Sequence, residues 1–158
     1  MGFAPSAMQL TTPAFAPGGR IPTPHTGEGP DTSPAFTFTD VPEETVSLAL
    51  ICHDPDAPLV LPNRYGFVHW VLYNIPGDVR TLAAATDLYT SGPNDFGSTG
   101  YGGPMPPEGH GVHQYYFWLL ALSRPADLPE GLAMWDLLGE IHDDVIAMNR
   151  LVGTYHRD

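Results

Sequence analysis

The sequence predicts a mainly β protein, a sandwich of two sheets with one helix near the C-terminus. Three strongly apolar segments have the composition of strands, and only one long segment has the spacing of an amphipathic helix. The 17 glycines and 18 prolines indicate long loops rather than a helical bundle. At 158 residues, the chain is expected to form a single domain, residues 1–158.

The first strands are predicted to be short. Residues 1–34 are rich in proline, glycine and threonine, with short apolar islands at Met8–Leu10 and Ala14–Phe15 and room for one short edge strand. The next strand begins at Ala35, alternates through Phe38, and ends at the turn formed by Asp40–Pro42.

Two strong strands follow. Thr45–His53 is apolar at both odd and even positions, which is typical of a strand covered on both faces. Gly66–Pro76 is aromatic and β-branched, which also favours a strand. Alternation predicts that its odd positions share one face: Phe67, His69, Val71 and Tyr73.

The third strong strand, Gln114–Ser123, follows a loop rich in glycine and proline. Alternation places Gln114 on the opposite face from its two neighbours. The residues predicted to share the other face are His113, Tyr115, Phe117 and Leu119.

One helix is predicted near the C-terminus, because apolar residues recur there at steps of three and four. This stripe comprises Met134, Leu138, Ile141, Val145, Met148 and Val152. A second, shorter helix is predicted at Leu82–Tyr89.

The charge of the chain excludes several classes of function. Eighteen acidic residues against six basic ones give a net charge of −12, and lysine is absent. Nucleic acid binding needs basic side chains at the phosphates and is therefore not expected. An anionic ligand would have to be held by local geometry rather than by long-range attraction. The single cysteine, Cys52, excludes an internal disulfide. The sequence has no long apolar run and no signal-peptide pattern, which predicts a cytoplasmic protein without an integral membrane segment.

Polar side chains cluster where two of the strands end or begin. Asp54 and Asp56 follow the first strong strand, and the plainest interpretation of Asp-Pro-Asp-Ala-Pro is a turn with Asx caps. His69 within a strand is more often a core residue than a functional one. His113 and Tyr115 lie two positions apart, roughly 6.8 Å along a strand, so that an imidazole and a phenol could converge on one small ligand.

The known enzyme motifs are missing. The sequence contains no GxSxG elbow, no HExxH and no phosphate-binding loop with its lysine. His110 and His113 have a metal-ligand spacing, but no second pair of ligands completes a site, so no metal or other cofactor is predicted. Cys52 is expected to be a core thiol.

Taken in order, the segments SLALICHDPDAP, HWVLYNIP, GPNDFGSTGYGGPMPPEGHGVHQYYFWLLAL and LVGTY closely resemble the phosphatidylethanolamine-binding protein family. The best match is its bacterial and archaeal branch, described as Raf kinase inhibitor-like. The resemblance covers nearly the whole chain from about Phe15 and implies a β-sandwich of a large and a smaller sheet. It also allows a homodimer.

The resemblance further implies a small cavity at one end of the sandwich, which binds phosphate, acetate or a phosphorylethanolamine-like headgroup. Pro58 is implied to follow a cis peptide. Where the family usually has arginine, this chain has Gln114, which should point away from the cavity. The residues that would form the ligand site are Asp54, Asp56, Pro58, His69, Gly103, Pro104, His113 and Tyr115.

Three functions are compatible with these residues. The first is a non-enzymatic binding protein in which His69 and His113 carry positive charge, Tyr115 donates its hydroxyl, and loop amides complete the anion site. The second is an inhibitor or modulator of a kinase or serine protease that acts through protein contacts. The third is a hydrolase or transferase that uses the aspartates and histidines of the same cavity.

Overall fold

Two antiparallel β-sheets form the body of the protein, in a computed structural model that describes residues 5–57 and 59–158. The larger sheet has the strand order β6-β4-β3-β7-β8, and the smaller has the order β1-β2-β5. In chain order, the strands are β1 (Gln9–Thr11), β2 (Phe36–Thr39), β3 (Ser47–Asp54), β4 (Phe67–Pro76), β5 (Thr81–Leu82), β6 (Thr90–Ser91), β7 (His113–Leu122) and β8 (Val145–Tyr155). The predicted mainly β sandwich is confirmed.

The main core lies between the two sheets. Phe36 and Phe38 of the small sheet are buried there against side chains of the large sheet. The rings of Phe36 and Phe117, one from each sheet, have centroids 5.3 Å apart. Burial of such large aromatic side chains stabilises the packing of the two layers.

A second core covers the outer face of the large sheet. Here the helix α1 (Met134–Ile141) packs Leu137 and Ile141 against the sheet. The central strand β3 sends Leu50 and Cys52 to the main core and Ala49 and Ile51 to the second. Its predicted burial on both faces is therefore confirmed.

A bulge in β4 changes which residues share a face. Cys52 pairs with Trp70 but the next residue of β3, His53, pairs with Val68, so His69 is an extra residue in the ladder. Such a bulge re-aims side chains near functional sites. Beyond it, Val71 and Tyr73 belong to the second core, whereas the ring of Phe67 still contacts His69. The prediction of one shared face from Phe67 to Tyr73 was wrong for this reason.

The predicted C-terminal helix is only half present. It ends at Ile141, a 3₁₀ turn follows at His142–Asp144, and the chain from Val145 onward forms the strand β8. β8 pairs with β7 along nearly its whole length, from His113 opposite Tyr155 to Leu122 opposite Val145. Tertiary pairing therefore overrode a helical spacing that continued through Met148 and Val152.

The predicted helix Leu82–Tyr89 was wrong. Leu82 belongs to β5, and the backbone of Ala85 and Tyr89 has φ angles of 55° and 68°. These left-handed conformations cannot continue a right-handed helix. Among the helices of residues 5–57 and 59–158, none has the length and apolar character needed to cross a bilayer.

Candidate functional site

A cavity of about 170 Å³ lies at the end of the sandwich where β3 ends and β4 and β7 begin. Four of its side chains are polar, and the others are apolar or aromatic. The described residues that line it are Asp54, Ala57, Val60, Phe67, His69, Phe96, Met105, Pro106, Pro107, His113 and Tyr115. Four residues predicted for the site, Asp54, His69, His113 and Tyr115, are therefore brought together.

The buried pair Asp54–His113 forms the polar floor of the cavity. His113 Nδ1 donates to Asp54 Oδ2 over 2.7 Å, and both side chains are almost fully buried. Burial raises the pKa of the Asp54 carboxyl above its ordinary value, although the bond from His113 opposes that rise. The carboxylate thereby fixes the orientation of the imidazole, with Nδ1 as its donor.

The two aspartates of the DPDAP segment have different roles. The Asp56 amide donates to Asp54 Oδ1 over 2.8 Å, which is the Asx turn that the plainest interpretation predicted. Asp56 itself is exposed, and its Oδ2 accepts the backbone N–H of Gln114 over 2.7 Å. Asp56 therefore fastens the turn to β7 and does not line the cavity.

His69 is held in the cavity wall by its own backbone and by a loop. Its Nδ1 donates to the Gly102 carbonyl over 2.7 Å, and the Gly102 amide donates back to the His69 carbonyl over 2.9 Å. The rings of Phe67, Phe96 and Tyr115 surround it, with centroids 5.0, 5.4 and 5.1 Å from that of His69. Burial among these rings lowers the pKa of His69 to about 4. The imidazole is therefore neutral in the ligand-free protein at neutral pH, and the positive charge predicted for the anion complex would have to be acquired on binding.

Tyr115 provides a hydroxyl that stays protonated. Its side chain is buried beside His69, and burial raises the pKa of the phenol above its ordinary value. Within residues 5–57 and 59–158, its hydroxyl has no hydrogen-bond partner, and the residue lines the cavity. Tyr115 can therefore donate a hydrogen bond to a ligand. Gln114 beside it is exposed, as the alternation of the strand predicted.

Gly103 and Pro104 lie behind the cavity wall and are not among the described residues that line it. The Gly103 amide donates to Asp31 Oδ1 over 2.7 Å, so this N–H is already engaged. The Pro104 carbonyl accepts the Gly27 amide over 2.8 Å. These bonds position the following residues, Met105–Pro107, against the cavity. The predicted site residue Pro58, with its cis peptide, lies outside the described residues.

Sequence reasoning missed the apolar wall of the cavity. Phe96 reaches it because the buried Asn94 organises the preceding turn, accepting the Phe96 amide over 3.0 Å and donating to the Gly100 carbonyl over 2.9 Å. The Asn-Asp-Phe-Gly segment was the available signal, since Asn and Asp favour turns closed by side-chain bonds. No pattern in the sequence indicated where that turn would lie in space.

His110 makes a contact that its spacing alone did not predict. Its Nδ1 lies 2.8 Å from His113 Nε2, so both ring nitrogens of His113 are engaged. Among the described residues, no cluster of three or more histidine, cysteine or acidic side chains has a geometry suited to a metal ion. The two histidines form a hydrogen-bonded pair that leads from the buried carboxylate of Asp54 toward solvent.

These features define a class: a β-sandwich protein with a small, partly polar cavity at one end, built around a buried aspartate–histidine pair. A sequence model of the phosphatidylethanolamine-binding protein family matches residues 11–156. The chain belongs to this family.

Relatives of similar length support this assignment. The chain is 41% identical to a UPF0098 protein of Methanothermobacter thermautotrophicus, over 95% of this chain and 99% of the relative, and 39% identical to one of Aquifex aeolicus, over 96% and 90%. Among solved structures, a phosphatidylethanolamine-binding protein homologue from Chlamydia trachomatis matches with a TM-score of 0.89 and 38% identity, covering 96% of this chain and 99% of that one. Escherichia coli YbcL matches with a TM-score of 0.87 and 31% identity, covering 97% and 100%.

Proposed function

We propose that the protein is a non-enzymatic binding protein for a small anion of the phosphate or phosphoryl-headgroup type. The observation that carries the proposal is the convergence of His69, His113 and Tyr115 on one cavity of about 170 Å³. An imidazole and a phenol are hydrogen-bond donors suited to an oxyanion. The rest of the wall is apolar, which excludes water and strengthens these hydrogen bonds.

The positive charge for the anion has to come from protons on histidine. No lysine or arginine is among the described residues that line the cavity. An anion beside His69 favours its protonated form and raises its pKa from the low value of the empty site. Binding is therefore accompanied by proton uptake, and it weakens as the pH rises.

The chemistry of the wall favours binding over turnover. The described lining residues include no serine, threonine, cysteine or lysine that could act as a nucleophile. Cys52 is packed in the main core, where burial raises the pKa of its thiol and keeps it unreactive. Asp54 accepts two hydrogen bonds from the protein, which leaves its carboxylate poorly placed to attack a ligand.

The test is a pair of tyrosine variants on one strand. Tyr115→Phe removes the cavity hydroxyl, and calorimetric titration with inorganic phosphate or O-phosphoethanolamine should show affinity reduced about tenfold, as expected for one hydrogen bond to a charged group. Tyr116→Phe is the matched control, because the Tyr116 hydroxyl bonds Gln114 on the other face of β7, and its affinity should equal that of the wild type. Equal affinity in all three proteins would refute the proposed site, and turnover of a phosphoester by the wild type would refute the proposed non-enzymatic role.

A further inference from the structure

His110 is not among the described residues that line the cavity, but it engages the ring nitrogen of His113 that an anion would have to use. His113 Nδ1 is bonded to Asp54, and His113 Nε2 lies 2.8 Å from His110 Nδ1. We propose that His110 is a proton-controlled stopper of the cavity: it bonds His113 while the site is empty and is released when an anion binds or a second proton arrives. This inference rests on the proposed function, since it concerns access to the same site.

His110 has to move when an anion binds, because His113 can make only a limited number of hydrogen bonds. The side chain is 3% exposed, and each of its ring nitrogens has one hydrogen-bonding position. Since Asp54 engages the first nitrogen, an anion must use Nε2, which His110 already occupies. Anion binding at His113 therefore displaces His110.

The hydrogen bond between His110 and His113 depends on pH, because it depends on the number of protons that the two rings hold. Two imidazole nitrogens 2.8 Å apart can share only one proton between them. If both rings become imidazolium ions, two N–H groups and two positive charges face each other, and the bond breaks. The neutral pair and the singly protonated pair both hold one proton between these nitrogens and keep the stopper closed, and the doubly protonated pair opens it.

Several charged and titratable groups surround the pair. Asp54 contacts His113 directly, and Asp56 bonds the adjacent amide of Gln114. On the loop side, Arg157 forms ion pairs with both Glu108 and Glu28, each over 3.1 Å, so one negative charge in this group is left without a counter-charge. The other titratable groups that face the pair from the packed elements are His69, Tyr115, and Tyr155, which pairs with His113 across the sheet and bonds Glu28.

The backbone around His110 allows the movement. The side chain is exposed, and it lies between Gly109 and Gly111, whose φ angles are 70° and 87°. A Cβ at either glycine would meet nothing within 4 Å, so the space around the turn is open. The loop is fastened before this turn, where the Gly109 amide donates to the Arg157 carbonyl over 3.0 Å. His110 can therefore rotate outward without disturbing the cavity wall.

The experiment compares phosphate binding by the wild type and His110→Ala across pH. At pH 8 the variant should bind phosphate about fivefold more tightly, because it has no hydrogen bond to break. Toward acidic pH, once both rings of the pair are protonated and the hydrogen bond is broken, the two affinities should converge. His142→Ala, a change of an exposed histidine on the 3₁₀ turn after α1, should match the wild type at every pH.

A merely structural His110, or one that itself binds the anion, would give a different pattern. Weaker binding by His110→Ala, or a ratio of affinities that does not change with pH, would overturn the proposal while leaving the proposed function intact. No phosphate binding by either protein would instead refute the proposed function. Nitrogen-15 NMR of the ligand-free wild type then tests the role of His110 independently of anion binding. The His110–His113 hydrogen bond should disappear when the second ring is protonated, and its persistence would overturn the inference.

Discussion

At the scale of single residues, burial determines the protonation of the cavity. His69 and Asp54 are each 3% exposed, and burial opposes the charged form of both. The pKa of His69 falls to about 4, and the pKa of Asp54 rises. His69 is therefore uncharged in the ligand-free protein at neutral pH, and under the proposed function its charge would be acquired when an anion binds.

The low pKa of His69 predicts a dependence of stability on acid. Because the folded-state pKa of about 4 lies below the unfolded value of 6.5, His69 stabilises the fold fully above pH 6.5, and this contribution is lost as the pH falls through 4. The difference in pKa corresponds to roughly 3 kcal/mol. In urea unfolding, the wild type should lose about that much stability relative to His69→Gln between pH 7 and 4.

The comparison between the wild type and His69→Gln cancels the contributions of the other titrating groups to the stability. Asp54, whose raised pKa acts in the opposite direction, is present in both. His142→Gln, at an exposed histidine, should run parallel to the wild type across the same pH range. If His69→Gln also ran parallel to the wild type, the low pKa of His69 would be refuted.

A site residue could be predicted from the sequence where the strand that carries it is regular. His113 and Tyr115 lie at the start of a strand whose alternation is unbroken, so their shared face followed from the pattern, whereas Asp54 was placed beside them only by the family resemblance. The direction of His69 within β4 depended on a bulge that is set by pairing with β3, which the sequence does not reveal. The bond between His110 and His113 depends on the path of a glycine-rich loop, where no periodicity exists.

At the scale of elements, the loop between β6 and β7 forms a wall because other segments hold it from behind. The Tyr101 hydroxyl donates to the His25 carbonyl over 2.6 Å, and the Gly103 amide donates to Asp31. The approach at Gly103 is too close for any larger residue, since a Cβ there would clash with the His25 carbonyl and lie 2.6 Å from Asp31 Oδ1. This explains why the sequence has glycine at that position.

Two glycine substitutions test this packing. Gly103→Ala should lower the free energy of unfolding by about 1–3 kcal/mol, because the loop must move away from its backing. Gly139→Ala is the matched control: this residue lies inside α1 with open space around it, and alanine should stabilise the helix by roughly 0.5–1 kcal/mol. Thermal or urea unfolding gives both values. A fully stable Gly103→Ala protein would show that the loop is not held in this way.

The strands and the helix differed in how well the sequence predicted them. β3 was predictable because burial on both faces makes nearly every residue apolar. The strand after Ile141 was not predictable, because the spacing of Val145, Met148 and Val152 fits a helix. Only pairing with β7 selects the strand. The helix prediction for Leu82–Tyr89 was wrong because two residues there, Ala85 and Tyr89, have left-handed backbone conformations. Neither is a glycine, so the sequence did not indicate them.

At the scale of the whole molecule, the net negative charge opposes the binding of an anion in the cavity. The net charge of −12 repels anions at long range. A site for phosphate on such a protein needs a local source of positive charge, and histidine is the cationic side chain found among the described residues of the cavity. Anion binding by this protein is therefore expected to depend on protons rather than on a basic surface.

Calorimetric titration of the wild-type protein with inorganic phosphate, at pH 5.5 and pH 8 and in two buffers of different ionisation enthalpy, tests this claim most directly. We expect binding at a single site, with at least tenfold weaker affinity at pH 8 and with proton uptake shown by a heat that changes with the buffer. Affinity that is the same at both pH values, with a heat that does not depend on the buffer, would contradict the claim that protonated histidine holds the anion.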